Sequence, residues 1–476
     1  MLGLFGTLNL SARSMQVQQQ GIEVAGHNMA NVNNPAYARQ RLTISTSSPI
    51  STPHGQEGTG ADSRQILQIR NLLLDGQIIT EGSVSGSLEA QQQALQYAQS
   101  DLGQQIDRGA TGAEGAAAAS GTGLQHGIGD SISDLFNAFQ SLSTQPSSLT
   151  ERDIVLTKAA QLAERFQQTD ARLDDLRVSL NRSVESDVAG VNAILSDIAR
   201  LNEQIGNAEM LENGAANDIR DTRQAKLEEL AKLVKFESVG GDLGSVNITI
   251  GGAIMVDGSS VRENLEAYET IDGKTLVRAA STDTDLEITS GSIHGSIEAR
   301  DGAIQGMRDN LSRLASTIIS EVNRVHQGGF GKDGSSGLNF FEGNDASDIR
   351  VNQAIVDDPA KLQASDTAGD VGNNGIAVAL AQLEKQPQAG LGNQTFSQNY
   401  SRIVADLGGT LSSVNEQITD QTVVTNMLKQ QRDSVSAVSL DEEMTDLIKF
   451  QKAYQASAQL INTVNEMLET VINIMR

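Results

Sequence analysis

Leu440–Arg476 reads LDEEMTDLIKFQKAYQASAQLINTVNEMLETVINIMR. Leu447, Phe450, Tyr454, Ile461, Val464, Leu468, Val471 and Met475 form one apolar stripe at spacings of three and four, and only Ser457 interrupts it. Leu440 and Met444 are expected to extend the stripe toward the N-terminus. The pattern predicts a long amphipathic helix running to the last residue. Chain ends usually fray and are polar. A hydrophobic face kept to the last turn calls for a partner.

The opposite end of the chain offers one. Residues 1–30 read as a second amphipathic helix, with Leu4, Leu8, Ala12, Met15, Ile22, Ala25 and Met29 near one face. It stops in the Asn-rich turn Asn28–Pro35, since Asn and Pro favour turns. The two stripes can be buried as an antiparallel coiled coil within one chain, or by packing among several copies. Two helices alone leave much of both stripes wet, so the pattern favours assembly, with ends that become ordered as copies pack.

Composition agrees with an elongated helical protein. The chain has 476 residues, only 38% hydrophobic and 3% aromatic, without Trp. Large aromatics build much of the core and pocket area of globular enzymes. Six prolines among 476 residues leave long helices uninterrupted. The net charge of −25 argues against nucleic acid and against an anionic membrane surface. Residues 1–80 are near neutral, with five Arg (Arg13, Arg39, Arg41, Arg64, Arg70), no Lys and four acids. There is no Cys, which removes disulfides and thiolate chemistry. No stretch reaches the ~18–20 apolar residues that span a bilayer. The N-terminus has neither a basic n-region nor an A-x-A site, so no cleaved signal peptide is expected.

Between the ends, a short alternating stretch lies near Leu42 and Ile44, and a helix is expected over 66–107, weakened around Gly82–Gly86. Residues 108–129 read as a Gly/Ala-rich loop. Phe136, Phe139 and Leu142 share a helical face that breaks at Gln145–Ser148. From Glu151 a three/four repeat runs for about sixty residues to Ile205, a rod-like helix of roughly 80–90 Å. Asn213-Gly214 ends it, and a shorter helix covers 217–235. At Phe236 the period drops to two: Val246, Ile248 and Ile250 alternate with polar residues. Thr275–Ala279 and Leu286–Thr289 are further strand-like pieces, with Asp257-Gly258 and Asp272-Gly273 as turns. After Arg300 a stripe of Met307, Leu311, Leu314, Ile318, Val322 and Val325 restores the helix. Residues 327–400 are irregular with one short helix near Ile376–Leu383, and 400–476 are helical with a break at Ser434–Ser439.

The expected fold is therefore mainly α with a small β insertion: an elongated rod of nested domains. Residues 1–65 and 436–476 form a terminal, coiled-coil-like helical domain. Residues 66–235 and 300–435 form a central long-helix bundle, and 236–299 an inserted β domain.

Candidate chemistry is thin. His27, His54, His126, His294 and His326 make no H-x-x-x-H or H-E-x-x-H pair, and each reads as a turn or surface histidine. Gly328–Gly334 invites a phosphate-loop reading but has the wrong spacing and follows a helix. Asp345, Asp348, Asp357 and Asp358 lack calcium-loop spacing. Asp441-Glu442-Glu443 reads as acid favoured by a helix dipole. No catalytic, cofactor or metal site is expected, and the protein is not read as an enzyme.

Several blocks carry a resemblance. His27–Gln40, HNMANVNNPAYARQ, resembles the N-terminal segment shared by bacterial flagellar axial proteins, with Ala36 where that family usually has Gly. Phe136–Pro146 with Arg152, Asn217–Arg223 with Leu227 and Leu230, Gly291–Asp301, Asn323-x-x-His326-x-x-Gly329 with Phe340-Phe341, and Ser436–Ser457 resemble blocks of the hook–filament junction branch of that family. The resemblance implies a structural protein exported through the flagellar type III apparatus without a cleaved signal. It would assemble as a homo-oligomeric ring on the hook, joining hook protein to the next junction protein, with a cytosolic chaperone on its C-terminal region before export. Nucleic acid and membrane insertion have no place in that role. The expected assembly interface is Leu4, Leu8, Met15, Ile22, Met29, Leu447, Phe450, Tyr454, Ile461, Val464, Leu468, Val471 and Met475. The family turn is carried by Asn28, Asn31, Pro35 and Tyr37. The alternatives are a hook, rod or third-junction paralogue, or a secreted coiled-coil adhesin or effector.

Overall fold

The computed structural model describes residues 3–52, 55–102, 127–212 and 216–474. It is mainly α with small antiparallel sheets. The expected loop over 108–129 and the Asn213-Gly214 stop lie largely outside the described residues, as do His54, His126 and Met475.

Helix α1 covers Leu4–Ala30. A ribbon follows, in which β1 (Gln40–Thr46) pairs antiparallel with β4 (Ala61–Gln68) and a small hairpin of β2 (Ile50–Thr52) and β3 (Gly55–Glu57) lies between them. Helix α2 is Leu72–Asp101, so the helix expected from residue 66 starts six residues later. Residues 66–68 belong to the β1–β4 ladder, and the Asn71 side chain caps α2 by accepting from the Leu73 and Leu74 amides.

Helix α3 (Ile128–Thr144) ends before Pro146, and α4 (Leu149–Glu212) runs unbroken for 64 residues. At 1.5 Å per residue α4 is about 95 Å long. Its apolar stripe changes partners midway. From Val155 to Leu180 it belongs to a core shared with α3, α7 (Gln305–His326), the loop around Phe340-Phe341 and the start of α10 (Phe396–Ser436). From Val184 onward it faces α5 (Asn217–Leu233) and the β region. One helix is thus the spine of two successive cores.

The β region holds a four-stranded sheet, β5 (Glu237–Gly240), β6 (Val246–Ile250), β7 (Ala253–Asp257) and β8 (Ser260–Val261), in that order. Beside it is a three-stranded sheet with β10 (Thr275–Ala279) between β9 (Leu265–Glu269) and β11 (Thr284–Asp285). Turns at Gly258 and Gly273 use positive φ, as their Asp-Gly sequences require. Leu286–Thr289 is not a strand. Its alternation instead turns Leu286 and Ile288 onto the second core. Three α4 asparagines hold the strand edges. Asn181 donates to Gly273 O and accepts from Thr275 N, Asn192 pairs with both Leu265 N and O, and Asn202 pairs with Val246 N and O. Each side-chain amide takes the place of a neighbouring strand, which covers edges that would otherwise offer unpaired backbone.

Helix α6 (Ser292–Glu298) passes through a π-helical stretch, Ala299–Ile304, into α7. The last residues of the stretch expected to be β are therefore helical. Gly295 and Gly86 let α6 and α5 approach α2 closely, because a Cβ on either would lie 2.1 Å from a backbone oxygen. Beyond α7 come the short pair β12 (Phe341–Glu342) and β13 (Arg350–Val351), α8 (Gln353–Asp357), and α9 (Gly375–Gln382). Helix α10 opens on a capping box, Thr395 with Gln398. A three-residue break, 437–439, separates it from α11 (Leu440–Ile474). No described helix is long and apolar enough to cross a membrane.

His326 corrects one expectation: it is fully buried, not a turn or surface histidine. Its Nε2 accepts from Gln363 N at 2.9 Å and Nδ1 lies 2.8 Å from Leu338 O. Burial pushes it down to about 4, so the ring is neutral at pH 7 and ties the irregular segment to α7.

Candidate assembly interface and its elbow

Helices α1 and α11 pack antiparallel. Ser14 Oγ is 3.0 Å from Ser457 Oγ, Gly21 sits against the Phe450 ring, and Asn28 Nδ2 donates to Glu443 Oε2 at 3.0 Å. These contacts recur every seven residues on both helices, as in a coiled-coil seam. A Cβ on Gly21 would lie 2.8 Å from the Phe450 ring, so glycine is what admits the aromatic there.

The seam falls beside the face read from sequence on α1. Its buried residues are Ser11, Val17, Gly21, Val24, Ala25 and Asn28, while Leu4, Leu8, Met15, Ile22 and Met29 flank it half-buried and Ala12 is exposed. Small residues let the helices approach, and the larger ones close over the sides. On α11, Val464 is buried, and Leu447, Phe450, Tyr454, Ile461 and Leu468 are half-buried. Ser457, read as an interruption, meets a serine of its own size. Leu440 and Met444 do not extend the stripe: they are 49% and 54% exposed, and the inward position between them is Glu443, at 2%. Val471, seven residues beyond buried Val464, is on the seam side but lies past the start of α1 at Leu4 and is exposed, as are Leu460, Met467 (52% exposed) and Ile474 (78%) along one flank. The apolar band of α11 is therefore wider and longer than α1 covers: one flank and the far end stay bare, and this bare part is the outer face of the helix.

At the body end of this pair the chain turns sharply. Asn31 N–H donates to His27 O, Asn34 N–H to Asn31 O and Tyr37 N–H to Asn34 O, while Asn31 Nδ2 donates to His27 O. Pro35 is exposed at the outside of the turn. Ala36 does not need the left-handed backbone that the usual Gly would supply; among described non-glycine residues only Leu243, Asp283 and Asn393 have positive φ. Asn28 uses its whole amide. It donates to Gln40 O and Glu443, and accepts from Tyr37 Oη–H at 2.7 Å and Gln40 N–H at 3.0 Å. Burial and the carboxylates of Asp218, Asp221 and Glu443 push the Tyr37 phenol up, so it remains a donor.

Charged groups then fasten the turn to the body. Arg39 donates from Nε to Glu443 at 2.6 Å, pairs with Glu442, and its backbone N–H donates to Ser436 O. Burial opposes the charge on Arg39, but these glutamates override it and hold its pKa above the ordinary value. On α5, Asp221 receives Ala38 N–H, Gln68 Nε2 and Arg70, the last at 2.7 Å. Burial pushes the Asp221 carboxyl up, yet donors from three residues converge on it and the same contact raises Arg70, which favours the ionised pair. Gln40 reaches Asp218, Asn217 reaches Ile66 O, and Arg432 of α10 reaches Glu228. Three blocks far apart in sequence, 27–40, 217–223 and 436–446, thus meet at one elbow. Glu443, Arg39, Asp221 and Arg70 were not read as site residues. The acidic run at 441–443 carried the signal but looked like helix-dipole charge.

Among the described residues, the other candidates are taken up by local structure. Gly331 N–H donates to Ser335 O and Lys332 N–H to Ala360 O, so the Gly328–Gly334 loop packs on its own chain. Asp348 accepts from the Asn344 and Asp345 amides as a turn carboxylate. Among the described residues no group of His, Cys, Asp or Glu is arranged to hold a metal.

The flagellar hook-associated protein FlgK helical domain family matches residues 118–341, and the flagellar basal body rod FlgEFG protein C-terminal family matches 429–474. Flagellar hook-associated protein 1 of Bacillus subtilis is 27% identical over 520 aligned residues, covering 99% of both chains. The chain belongs to the flagellar hook-associated protein 1 family. Its relative in Salmonella typhimurium is 26% identical, over 73% of this chain and 81% of that one, and its relative in Escherichia coli is 22% identical, over 98% and 99%. The fold resembles the flagellar hook junction protein FlgK of Burkholderia pseudomallei, with a TM-score of 0.62, 14% identity, and coverage of 76% of this chain and all of that one. Members of this family are structural components of the flagellum, and this chain is one of them. The family assignment sets aside the adhesin and paralogue alternatives.

Proposed function

We propose that copies of this chain form a ring at the end of the hook, joining hook protein to the next junction protein and carrying no catalysis. In this reading the α1–α11 pair is the assembly element, and the inner wall is built where the exposed face of one α11 meets neighbouring copies. The observation that supports it is the part of the α11 apolar band that α1 leaves bare: Leu460, Met467, Val471 and Ile474 are apolar and exposed once α1 is in place. Solvent-facing helix positions in a finished monomer are ordinarily polar.

The division of labour follows the nested order. Residues 1–65 with 436–476 assemble, 66–235 with 300–435 make the rigid outer body, and 236–299 project from it. Leu4, Leu8, Met15, Ile22, Met29, Leu447, Phe450, Tyr454, Ile461, Val464 and Leu468 serve the pair itself, and Val471 and Met475 serve contacts between copies. Export proceeds without a cleaved signal, with a cytosolic chaperone covering the apolar C-terminal helix beforehand.

The test is imaging of hook ends in a deletion strain complemented with Met467→Asp. That variant places a charge on the bare flank of α11 at a residue that is 52% exposed. We expect hooks without filaments in both the deletion and the complemented strain. Full filaments in the deletion would end the junction reading, and full filaments with Met467→Asp would end the outer-face reading.

A further inference from the structure

The α1–α11 seam has a repeat that packing alone cannot place. Small or polar residues recur on α1 at Thr7, Ser14, Gly21 and Asn28, seven apart. Against them stand Glu443, Phe450, Ser457 and Val464, also seven apart. In the observed register Phe450 lies on Gly21. Slipped by one heptad, it would lie on Ser14, nearly as small, and Ser457 on Thr7. Apolar seams with such repeats tolerate alternative registers, and coiled coils fix one with a buried polar position.

One position here does discriminate. Glu443 is buried, and its two oxygens are taken by Asn28 Nδ2 and Arg39 Nε. Asn28 in turn is filled by Tyr37 and both backbone groups of Gln40. In the slipped register Glu443 would face Gly21, which offers no side-chain donor, and an unpaired carboxylate would be buried. Asn28 would lose its partner at the same time. Arg39 cannot follow the slip, because its backbone is fixed to Ser436 O at the start of the break before α11.

We infer that Glu443 and Asn28 form a hydrogen-bonded register key, selecting one alignment of α1 on α11 and thereby fixing where the outer face of α11 stands relative to the body. The key deepens the assembly reading, and its significance for a ring rests on that reading. Its test does not, because register is read in the free chain.

The natural chain has no cysteine, so introduced pairs report without background. Ser14→Cys/Ser457→Cys reports the native register, where the two Oγ atoms are 3.0 Å apart. Ser11→Cys/Ala453→Cys reports the slipped one; in the native register these positions are offset by about two helical turns, roughly 10 Å, too far to bridge. The full chain is oxidised under equilibrating thiol–disulfide conditions, and each pair is quantified by peptide mapping with helix content followed alongside. In the parent only 14/457 forms. In Asn28→Leu/Glu443→Leu, which removes both halves of the key together and leaves Tyr37, Gln40 and Arg39 without these partners at the elbow, we expect helix content to hold while the native-to-slipped ratio falls at least about tenfold. Glu443→Gln, which can still accept the Asn28 amide, keeps the native ratio. The inference is overturned if the double leucine variant forms only 14/457, since packing would then set the register. Loss of both cross-links together with helix content overturns it too, because the pair would then hold the helices together without choosing their alignment. A Glu443→Gln variant that slips is equally incompatible with a hydrogen-bonded key.

Discussion

Helices α4 and α11 are both long and both striped, and they are finished to different degrees. Along α4 a buried stripe continues from Val155 to Ile205, and three asparagines on the same helix engage the strand edges. Along α11 only Glu443 and Val464 are buried, and exposed apolar side chains continue along one flank and past the start of α1. Both helices have a three/four apolar pattern. What separates them is how many elements the chain supplies to cover it: two successive cores for α4, and a single helix, α1, for α11. A stripe in sequence therefore states a need for burial without stating who meets it.

The largest expected difference lies in the cores. Phe166→Ala on α4 empties a fully buried site and should cost about 3–5 kcal/mol. Leu468→Ala on half-buried α11 should cost under ~1 kcal/mol. Urea unfolding followed by circular dichroism measures both. Equal losses would erase the contrast. In the same experiment, removal of 437–476 should leave a cooperative transition for the body.

Acid should separate the regions next. The folded pKa of His326, about 4, is below the unfolded value of 6.5. The unfolded chain therefore binds the extra proton first. The stability from neutral His326 is complete above pH 6.5 and is lost as pH falls through 4, up to about 3 kcal/mol. Denaturant midpoints at pH 7 and 4.5, with the imidazole followed by NMR, check this. A His326 ring that titrates near 6.5 would contradict its buried, neutral state.

Smaller effects sharpen the comparison. Asn192→Ala leaves Leu265 N–H and O without their α4 partner, at about 1–3 kcal/mol, and should speed amide exchange at Leu265. Met467→Asp on the outer face of α11 should change monomer stability by under ~0.5 kcal/mol while abolishing incorporation at hook tips. A folding defect in that variant would mean that its face is already covered within the chain.

Much of the body was legible because periodicity reports burial locally. The break at Pro146, the long α4 and the change to period two near Phe236 all depend on residues close in sequence. The register of α1 on α11 was not, because Gly21 and Phe450 are more than four hundred residues apart. The face of α1 was displaced for a related reason: hydropathy favours Leu8, Met15 and Ile22, whereas close approach favours Ser11 and Gly21, and Ala25 belongs to both. The elbow stayed hidden because its groups are charged. Asp221, Arg70 and Glu443 are ordinary surface residues by type, and only their convergence makes them internal. Leu286–Thr289 misled in the other direction, since alternation marks a half-buried segment whether or not it joins a ladder.

Hydrogen exchange on the full chain, free and in assembled junctions, tests the central claim most directly. In the free chain, amides of α4 between Val155 and Ile205 should exchange far more slowly than those of α11 between Leu460 and Ile474. On assembly the α11 segment should rise toward the protection of α4, while α4 itself changes little. Protection of α11 that already equals α4 in the free chain, or that does not change on assembly, would contradict an end left for other copies to complete.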